Sequence, residues 1–220
     1  MFKSCEGLTS LNISNFNTAK VMYMGSMFES CSGLTSINVS NFNTARVKDM
    51  RSMFYNCIRL TSLDLRNFNT ANVIDMSDMF NNCIYLTSLN VRNFNTANVI
   101  DMYGMFYNCS GLTSLDLRNF ITARVKFMGG MFSGCSGLTT IYASSYFVTT
   151  AVSNSTEMFY GCRSLVGRAG TVYNSSYIDA TYARIDMGTI SPGYFSVWVK
   201  VKINTKVLDD KNESLINVYN

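Results

Sequence analysis

Apolar residues recur along this chain with a period of 26 residues. The pair Met-Phe begins at positions 1, 27, 53, 79, 105, 131 and 158, and a cysteine follows four positions after each methionine. Self-similarity at a fixed period of this length is the signature of a repeat architecture. We therefore predict about six repeats and a partial seventh over residues 1–165.

Each repeat contains two patterns that predict different elements. Leucines at positions 60, 63 and 65 alternate with polar residues at the end of the run, as in a half-buried strand. A segment rich in turn-forming residues follows at 67–71. Apolar residues at 73, 76, 79, 80 and 83 then have the spacing of one helical face, with Thr70 or Asn72 as the cap. The repeat is therefore predicted as strand, turn, short helix and return.

One repeat cannot bury its apolar face alone, whereas stacked repeats cover one another. We predict an α/β repeat fold: a leucine-rich-repeat-like right-handed solenoid with one parallel strand and one short helix in each turn. Its strands would align about 4.8 Å apart. Because helices are wider than strands, the stack would curve with the sheet on the inner, concave face.

Further columns of identical residues are predicted to form the core and the bend. We expect the methionines to pack in the core, the phenylalanines at 16, 42, 68, 94 and 120 to stack, and one of two asparagine columns to satisfy backbone groups at the bend. Asp49, Asp75 and Asp101 form an outer column, for which we expect a helix-start or solubility role rather than calcium binding.

The seven cysteines are predicted to be buried free thiols. No Cys-x-x-Cys pair and no histidine is present to build a zinc site. Repeats whose helical sides stand roughly 10 Å apart would also keep neighbouring cysteines too distant for a disulfide. Neither a metal nor another cofactor is expected.

The inner face offers the candidate binding site. Between the buried leucines, outward positions of the middle repeats combine arginine with aspartate or asparagine. These positions are Asp64, Arg66, Asn90, Arg92, Asp116 and Arg118. Arginine offers bidentate donors to carboxylates and phosphates, so one hypothesis is a ligand patch. The other is a solvated face on which Arg66 pairs with Asp64 and Arg118 with Asp116, while Arg92 lacks such a partner.

The regular pattern ends after residue 165. We predict a C-terminal cap or β extension over 166–203, including a strand from Val197 to Ile203, and a polar tail over 204–220. Packing within the cap is expected for its tyrosines, with sugar stacking as the alternative. At the other end, Met1 lies in the middle of a repeat and no cap precedes it. We therefore expect a fragment of a longer array that is monomeric, or that associates end to end.

The unit over residues 73–83, followed by Leu-Thr-Ser-Leu at 86–89, resembles the 26-residue repeat of the BspA-like leucine-rich-repeat surface proteins of bacteria. The segments 164–167, 170–171, 181–186 and 192–195 are similar to the region that follows the repeats in many of these proteins. Arg168 and Met187 stand where glycines are expected. The resemblance implies secretion or surface anchoring and a role in adhesion or host interaction.

Composition narrows the function classes. The net charge of +4 and the absence of a basic run argue against nucleic acid, and no apolar stretch is long enough to span a membrane. Without histidine, a nucleophile elbow or a phosphate loop, an enzyme is not expected. We predict an extracellular or cell-surface recognition or adhesion module that binds a host-derived or anionic protein or glycan through the concave sheet. The alternative is a structural spacer without a ligand.

Overall fold

The computed structural model describes residues 1–197, which form short parallel strands joined by turns. The strands are β1 (Ser62–Leu63), β2 (Ser88–Leu89), β3 (Ser114–Asp116), β4 (Thr140–Tyr142) and β5 (Phe195–Ser196). Two 3-10 helices, η1 (Ala180–Tyr182) and η2 (Gly188–Ile190), lie between β4 and β5. Strands β1 to β4 begin 26 residues apart, which confirms the predicted parallel-strand repeat.

Strand register follows the repeat. β1 pairs with β2 through Ser62 and Ser88. A second sheet has the order β3-β4-β5, with Leu115 beside Ile141 and Ile141 beside Phe195. Within each sheet, residues at equivalent positions of neighbouring repeats lie side by side, so the columns of the sequence become rows across the strands.

A second parallel ladder runs through the other side of the repeats. It consists of bridges that join Tyr23, Asp49, Asp75, Asp101, Phe127 and Asn154 in that order. Three of these positions, Asp49, Asp75 and Asp101, form the aspartate column, for which a helix-start or solubility role was expected. The carboxylates serve turns instead: Asp49 Oδ1 accepts the N–H of Arg51 at 2.9 Å, and Asp101 Oδ1 accepts that of Tyr103 at 2.8 Å.

The segment predicted as a helix, residues 73–83, forms consecutive turns instead. Some backbone N–H groups close these turns. For example, the N–H of Met79 donates to the C=O of Met76 at 3.3 Å. The amides between them bond to the next repeat, as where Phe80 donates to Met105 at 3.0 Å. A helix commits each amide to a carbonyl of its own segment. The prediction of one helix per repeat is therefore wrong.

Backbone conformation explains why these segments do not form helices. Asp78 and Asn82 have φ angles of 55° and 62°. Each is the third residue of its turn, where type II turns require positive φ. Met76 and Met79 nevertheless point inward, so the turns give the same apolar spacing as a helical face. Because the repeats, residues 1–165, contain no helices, the reason to expect a curved stack with a concave sheet no longer applies. The exposed side of the strands is called the sheet face.

The core runs through all the described repeats and takes inward residues from both ladders. Two methionine columns are buried, at 0–8% exposure, as predicted, whereas Met1 is 82% exposed. The buried columns are Met24, Met50, Met76, Met102 and Met128, and Met27, Met53, Met79, Met105 and Met131. A stack of phenylalanine rings follows the same course, with neighbouring centroids 5.4–6.0 Å apart. Its members are Phe2, Phe28, Phe54, Phe80, Phe106, Phe132 and Phe159. The continuous stack is thus made by the Met-Phe column rather than by the column beginning at Phe16.

At the bend, side chains satisfy backbone groups between repeats. The amide nitrogen of Asn93 donates to the carbonyls of Leu65 and Phe68 at 3.0 and 2.9 Å, as predicted for one asparagine column. Threonine contributes equally. The Thr70 hydroxyl donates to the C=O of Asn95 at 3.0 Å and accepts its N–H at 2.8 Å. Because residues 73–83 form no helix, the cap predicted at Thr70 or Asn72 is wrong.

The C-terminal region, residues 166–197, closes on the last repeat. Tyr194 and Phe195 are buried and contact the Phe159 ring with centroids 5.1 and 6.1 Å apart. β5 lies beside β4, so this region contains β structure. The predicted strand from Val197 to Ile203 and the polar tail over 204–220 lie outside the described residues, apart from Val197 itself.

Candidate functional site

All six candidate residues lie on the sheet face. Leu63 and Leu65 are buried, while Asp64 and Arg66 between and after them are exposed. The same alternation exposes Asn90 and Arg92 and leaves Asp116 and Arg118 half-buried. Since the strands are parallel and in register, these residues form rows across neighbouring repeats.

Each arginine of the row is held by a carboxylate. Arg66 Nη2 lies 2.7 Å from Asp64 Oδ2, and Arg118 Nη2 lies 2.7 Å from Asp116 Oδ2. Arg118 Nε also donates to the other oxygen of Asp116 at 2.8 Å, which makes a two-pronged pair. Both pairs are those named by the solvated-face hypothesis.

Arg92 also has an acidic partner, contrary to the sequence-based expectation. Its Nε lies 3.2 Å from Oδ2 of Asp116 in the next repeat. Asp116 therefore binds two guanidinium groups, one from each of two adjacent repeats. The row consists of a separate pair, Asp64 with Arg66, and a cluster of Arg92, Asp116 and Arg118.

These pairings keep the acidic groups ionised at neutral pH. The Arg66 side chain, by hydrogen bonding, lowers the pKa of Asp64 to about 2. For Asp116, burial opposes ionisation, but hydrogen bonds from Arg118 outweigh it and the pKa is lowered. Hydrogen bonding to Asp116 in turn raises the pKa of Arg118. With three arginines and two aspartates, the row has an excess of positive charge.

Two shallow depressions accompany the row. One, of about 350 Å³, lies between β1 and β2 and is lined by Ser62, Leu63, Asp64, Arg66, Ser88 and Asn90. A second, of about 220 Å³, lies beside Asp64 and Arg66 and also touches Ser40 and Asn67. Hydroxyl, amide, carboxylate and guanidinium groups therefore meet on an open surface, which suits hydrogen-bonded recognition better than enclosure of an apolar ligand.

The cysteine column forms no candidate site. Six of the seven free thiols are buried, as predicted, whereas Cys5 is exposed. Each buried Sγ donates to a phenylalanine carbonyl of the preceding repeat, as Cys83 does to Phe54 at 3.2 Å. Burial raises the pKa of Cys57 and of Cys135 to about 12. Within residues 1–197 there is no group of three metal-ligating side chains.

The column that carries Asp64 and Asn90 departs from its pattern at Tyr142. Together with Thr140 and with Gly167, Arg168 and Ser196 of the C-terminal region, Tyr142 lines a depression of about 510 Å³. The repeat pattern decays here, but no site was predicted at this position. The change from a small polar residue to tyrosine at this column was the available signal.

Comparison with known proteins identifies the family. The family model described as "Mycoplasma protein of unknown function, DUF285" matches residues 1–88 and residues 60–172. The chain belongs to the DUF285 family. The DUF285 matches cover all the repeats and the first residues of the C-terminal region. No curated protein and no solved structure matches the chain.

None of the helices in residues 1–197 has the length and the apolar character needed to cross a bilayer.

Proposed function

We propose that this chain is a non-enzymatic recognition module of a bacterial cell surface, related to the BspA-like leucine-rich-repeat proteins. In this proposal the repeats form a right-handed solenoid, and a protein or glycan binds to the sheet face. The observation that carries the proposal is the row of six charged and amide side chains at equivalent positions of three consecutive repeats, which the Arg92–Asp116 contact links from one sheet to the next. An extended row of this kind suits a ligand that spans several repeats.

Charge supports an anionic ligand. Asp116 is shared by Arg92 and Arg118, so two guanidinium groups have one carboxylate between them. Arg92 uses its Nε in this contact. A ligand carboxylate, sulfate or phosphate near Asn90 would add a second charge-assisted contact to this arginine. The depression between β1 and β2 reaches Asn90.

A structural spacer remains the second candidate, because all three arginines are already paired with aspartates. The Arg66 and Asp64 side chains are 74% and 57% exposed, and pairs this exposed contribute little to stability. Such pairs keep a surface soluble without any ligand. The spacer and the binder differ only in whether the row makes contacts with another molecule.

Screening the soluble chain against glycans and host surface proteins tests the proposal. A bound ligand should be lost when Arg66, Arg92 and Arg118 are together replaced by serine. The matched control replaces Lys20, Arg46 and Arg124 by serine, which removes the same charge from another column. A ligand that survives the first triple substitution, or is lost equally in both, would refute binding at the row. If the screen finds no ligand, the spacer is the correct function.

A further inference from the structure

The depression where the repeats meet the C-terminal region has the features of a separate binding pocket. Thr140 and Tyr142 of β4 form one wall, and Ser196 of β5 continues it. Val166, Gly167 and Arg168 come from the segment that follows the last repeat, and Val197 completes the lining. Its volume of about 510 Å³ is in the range of small-ligand sites.

The loop that carries Arg168 is held by a buried carboxylate. Asp186 is 2% exposed, and its Oδ2 accepts the N–H groups of Ala169 and Thr171 at 2.8 and 3.0 Å. Its Oδ1 accepts the Thr171 hydroxyl at 2.7 Å and the N–H of Gly188 at 3.0 Å. These charge-assisted bonds fix the backbone that directly follows the arginine.

Close packing fixes the loop further. A Cβ atom at Gly167 would collide with the carbonyl oxygen of Gly193 and with the Asp186 side chain, so only glycine fits. The N–H of Gly167 donates to the C=O of Thr171 at 2.8 Å, which closes the loop on itself. A rigid support of this kind is what a binding residue needs in order to be held in place before the ligand arrives.

Arg168, in contrast, is exposed, and within residues 1–197 its guanidinium forms no hydrogen bond or ion pair. It therefore differs from Arg66, Arg92 and Arg118, each of which binds an aspartate. A guanidinium on a rigid loop at the edge of a depression is suited to bind a carboxylate or a sulfate through two parallel hydrogen bonds.

The other residues that line the depression indicate which kind of molecule would carry the carboxylate or sulfate. The hydroxyls of Thr140 and Ser196 can both donate and accept, and Tyr142 supplies part of an aromatic wall. An extended peptide would need a free strand edge, but β4 lies between β3 and β5 with both edges paired. A compact polar molecule with ring faces and hydroxyls fits the lining better than a peptide does.

We propose that this pocket, defined by Thr140, Tyr142, Arg168 and Ser196, binds an acidic saccharide unit with its carboxylate or sulfate on Arg168. The pocket goes beyond the row of the sheet face and does not depend on it. Asp186 acts here as a positioning residue that holds the Arg168 loop.

Calorimetric titration of the full chain tests the pocket. The probes are a glucuronate-containing disaccharide, its carboxyl-reduced counterpart, a sulfated disaccharide and its desulfated counterpart. Acetate, inorganic sulfate and an oligoglutamate peptide complete the set. We expect at least one acidic disaccharide to bind at least about tenfold more tightly than its neutral counterpart, as loss of one charge-assisted contact implies.

Variants locate the binding. Arg168→Gln should weaken the acidic disaccharide about tenfold and leave its neutral counterpart unchanged, whereas Arg163→Gln, at an exposed arginine of the last repeat, should have no effect. Tyr142→Val, which suits a strand, should weaken both disaccharides. The double variant Arg66→Ser, Arg92→Ser should keep pocket binding, which separates it from the function proposed for the row.

Four results would overturn the pocket. They are the absence of binding by either acidic disaccharide, affinity unchanged by Arg168→Gln, free acetate or sulfate binding as tightly as the disaccharide, and preference for the oligoglutamate peptide.

Discussion

The repeats and the C-terminal region satisfy their buried polar groups in different ways. In the repeats, neutral groups recur once in every turn, such as the Thr70 hydroxyl on Asn95 and the Cys83 thiol on Phe54. In the C-terminal region, one ionised side chain, Asp186, accepts hydrogen bonds from several backbone segments. Stability is therefore distributed in the first region and concentrated in the second.

This difference follows from the sequence. A repeat can place the same neutral partner beside every copy of a backbone group, so no single bond has to be strong. A region that occurs once has no such neighbour. A carboxylate with several lone pairs can satisfy many donors at one point, and bonds to a charged group are stronger than neutral ones.

The largest expected effect tests whether the stability that comes from the hydrophobic core is spread over the repeats, as the hydrogen bonds are. Phe80 is fully buried and stacks on Phe54 and Phe106. Phe80→Ala should lower the free energy of unfolding by about 3–5 kcal/mol, because a cavity replaces a ring in the middle of the stack. Urea denaturation followed by circular dichroism measures it.

The matched variant is Phe2→Ala. Phe2 is only partly buried and belongs to the end of the same stack, so we expect less than half of that loss. Equal losses would mean that position within the stack does not matter.

A second experiment addresses the C-terminal region, where the hydrogen bonds converge on Asp186. Asp186→Asn should lower the free energy of unfolding by about 2 kcal/mol, since the amide loses the charge that strengthens several hydrogen bonds. Asp179→Asn is the control, because Asp179 is exposed and its carboxylate caps only η1. A loss no larger than that of the control would show that the C-terminal region does not depend on Asp186.

The pH dependence of stability should also distinguish Asp186. Burial opposes its ionisation, but hydrogen bonds from Thr171, Gly188 and Ala169 outweigh burial and lower its pKa from 3.8 to about 2. A lowered folded-state pKa means that the contribution is complete above pH 3.8 and is lost as the pH falls toward 2. Denaturation between pH 5 and pH 2 should show a smaller acid-induced loss in Asp186→Asn than in the unaltered chain.

A smaller effect is expected for one hydroxyl of the repeats. Thr96 is fully buried, and its Oγ1 donates to the C=O of Ile121 at 3.0 Å and accepts its N–H at 2.7 Å. Thr96→Val keeps the shape and removes both bonds, at a cost of about 1–2 kcal/mol. Thr44→Val should cost the same, because Thr44 makes the same contacts with Asn69. Clearly unequal costs, measured by urea denaturation, would contradict the idea of equivalent repeats.

The sequence predicted the period, the parallel strands and the buried columns because each depends only on which residues are apolar. It did not distinguish turns from a helix at 73–83, since both return apolar residues to one side at the same spacing. The difference lies in where the amides bond, as in the contact of Phe80 with Met105 in the next repeat. Because Met105 lies in the next repeat, this hydrogen bond leaves no pattern in the sequence of a single repeat.

The candidate site was predictable in part for the same reason. Alternation along the strands placed Asp64 and Arg66 correctly on the exposed face. The contact between Arg92 and Asp116 was missed because it crosses from one repeat to the next. The pocket around Tyr142 was missed because Arg168 and Ser196 come from a region without a repeat. Contacts between different columns or regions depend on packing that a single repeat does not reveal.

The smallest expected effect concerns the arginine–aspartate pairs of the sheet face, which are charged but exposed to water. Arg66→Ser should leave the free energy of unfolding almost unchanged, since water screens a pair this exposed. Arg118→Ser should cost more, because Asp116 is half-buried and would keep only Arg92. Denaturation at low and at high salt measures both, and added salt should reduce the difference. Equal costs would mean that the shared carboxylate is no more important than the separate pair. In that case the pairs of the row would be equivalent to one another, as expected for a spacer. The evidence for a binding site on the sheet face would then be weaker.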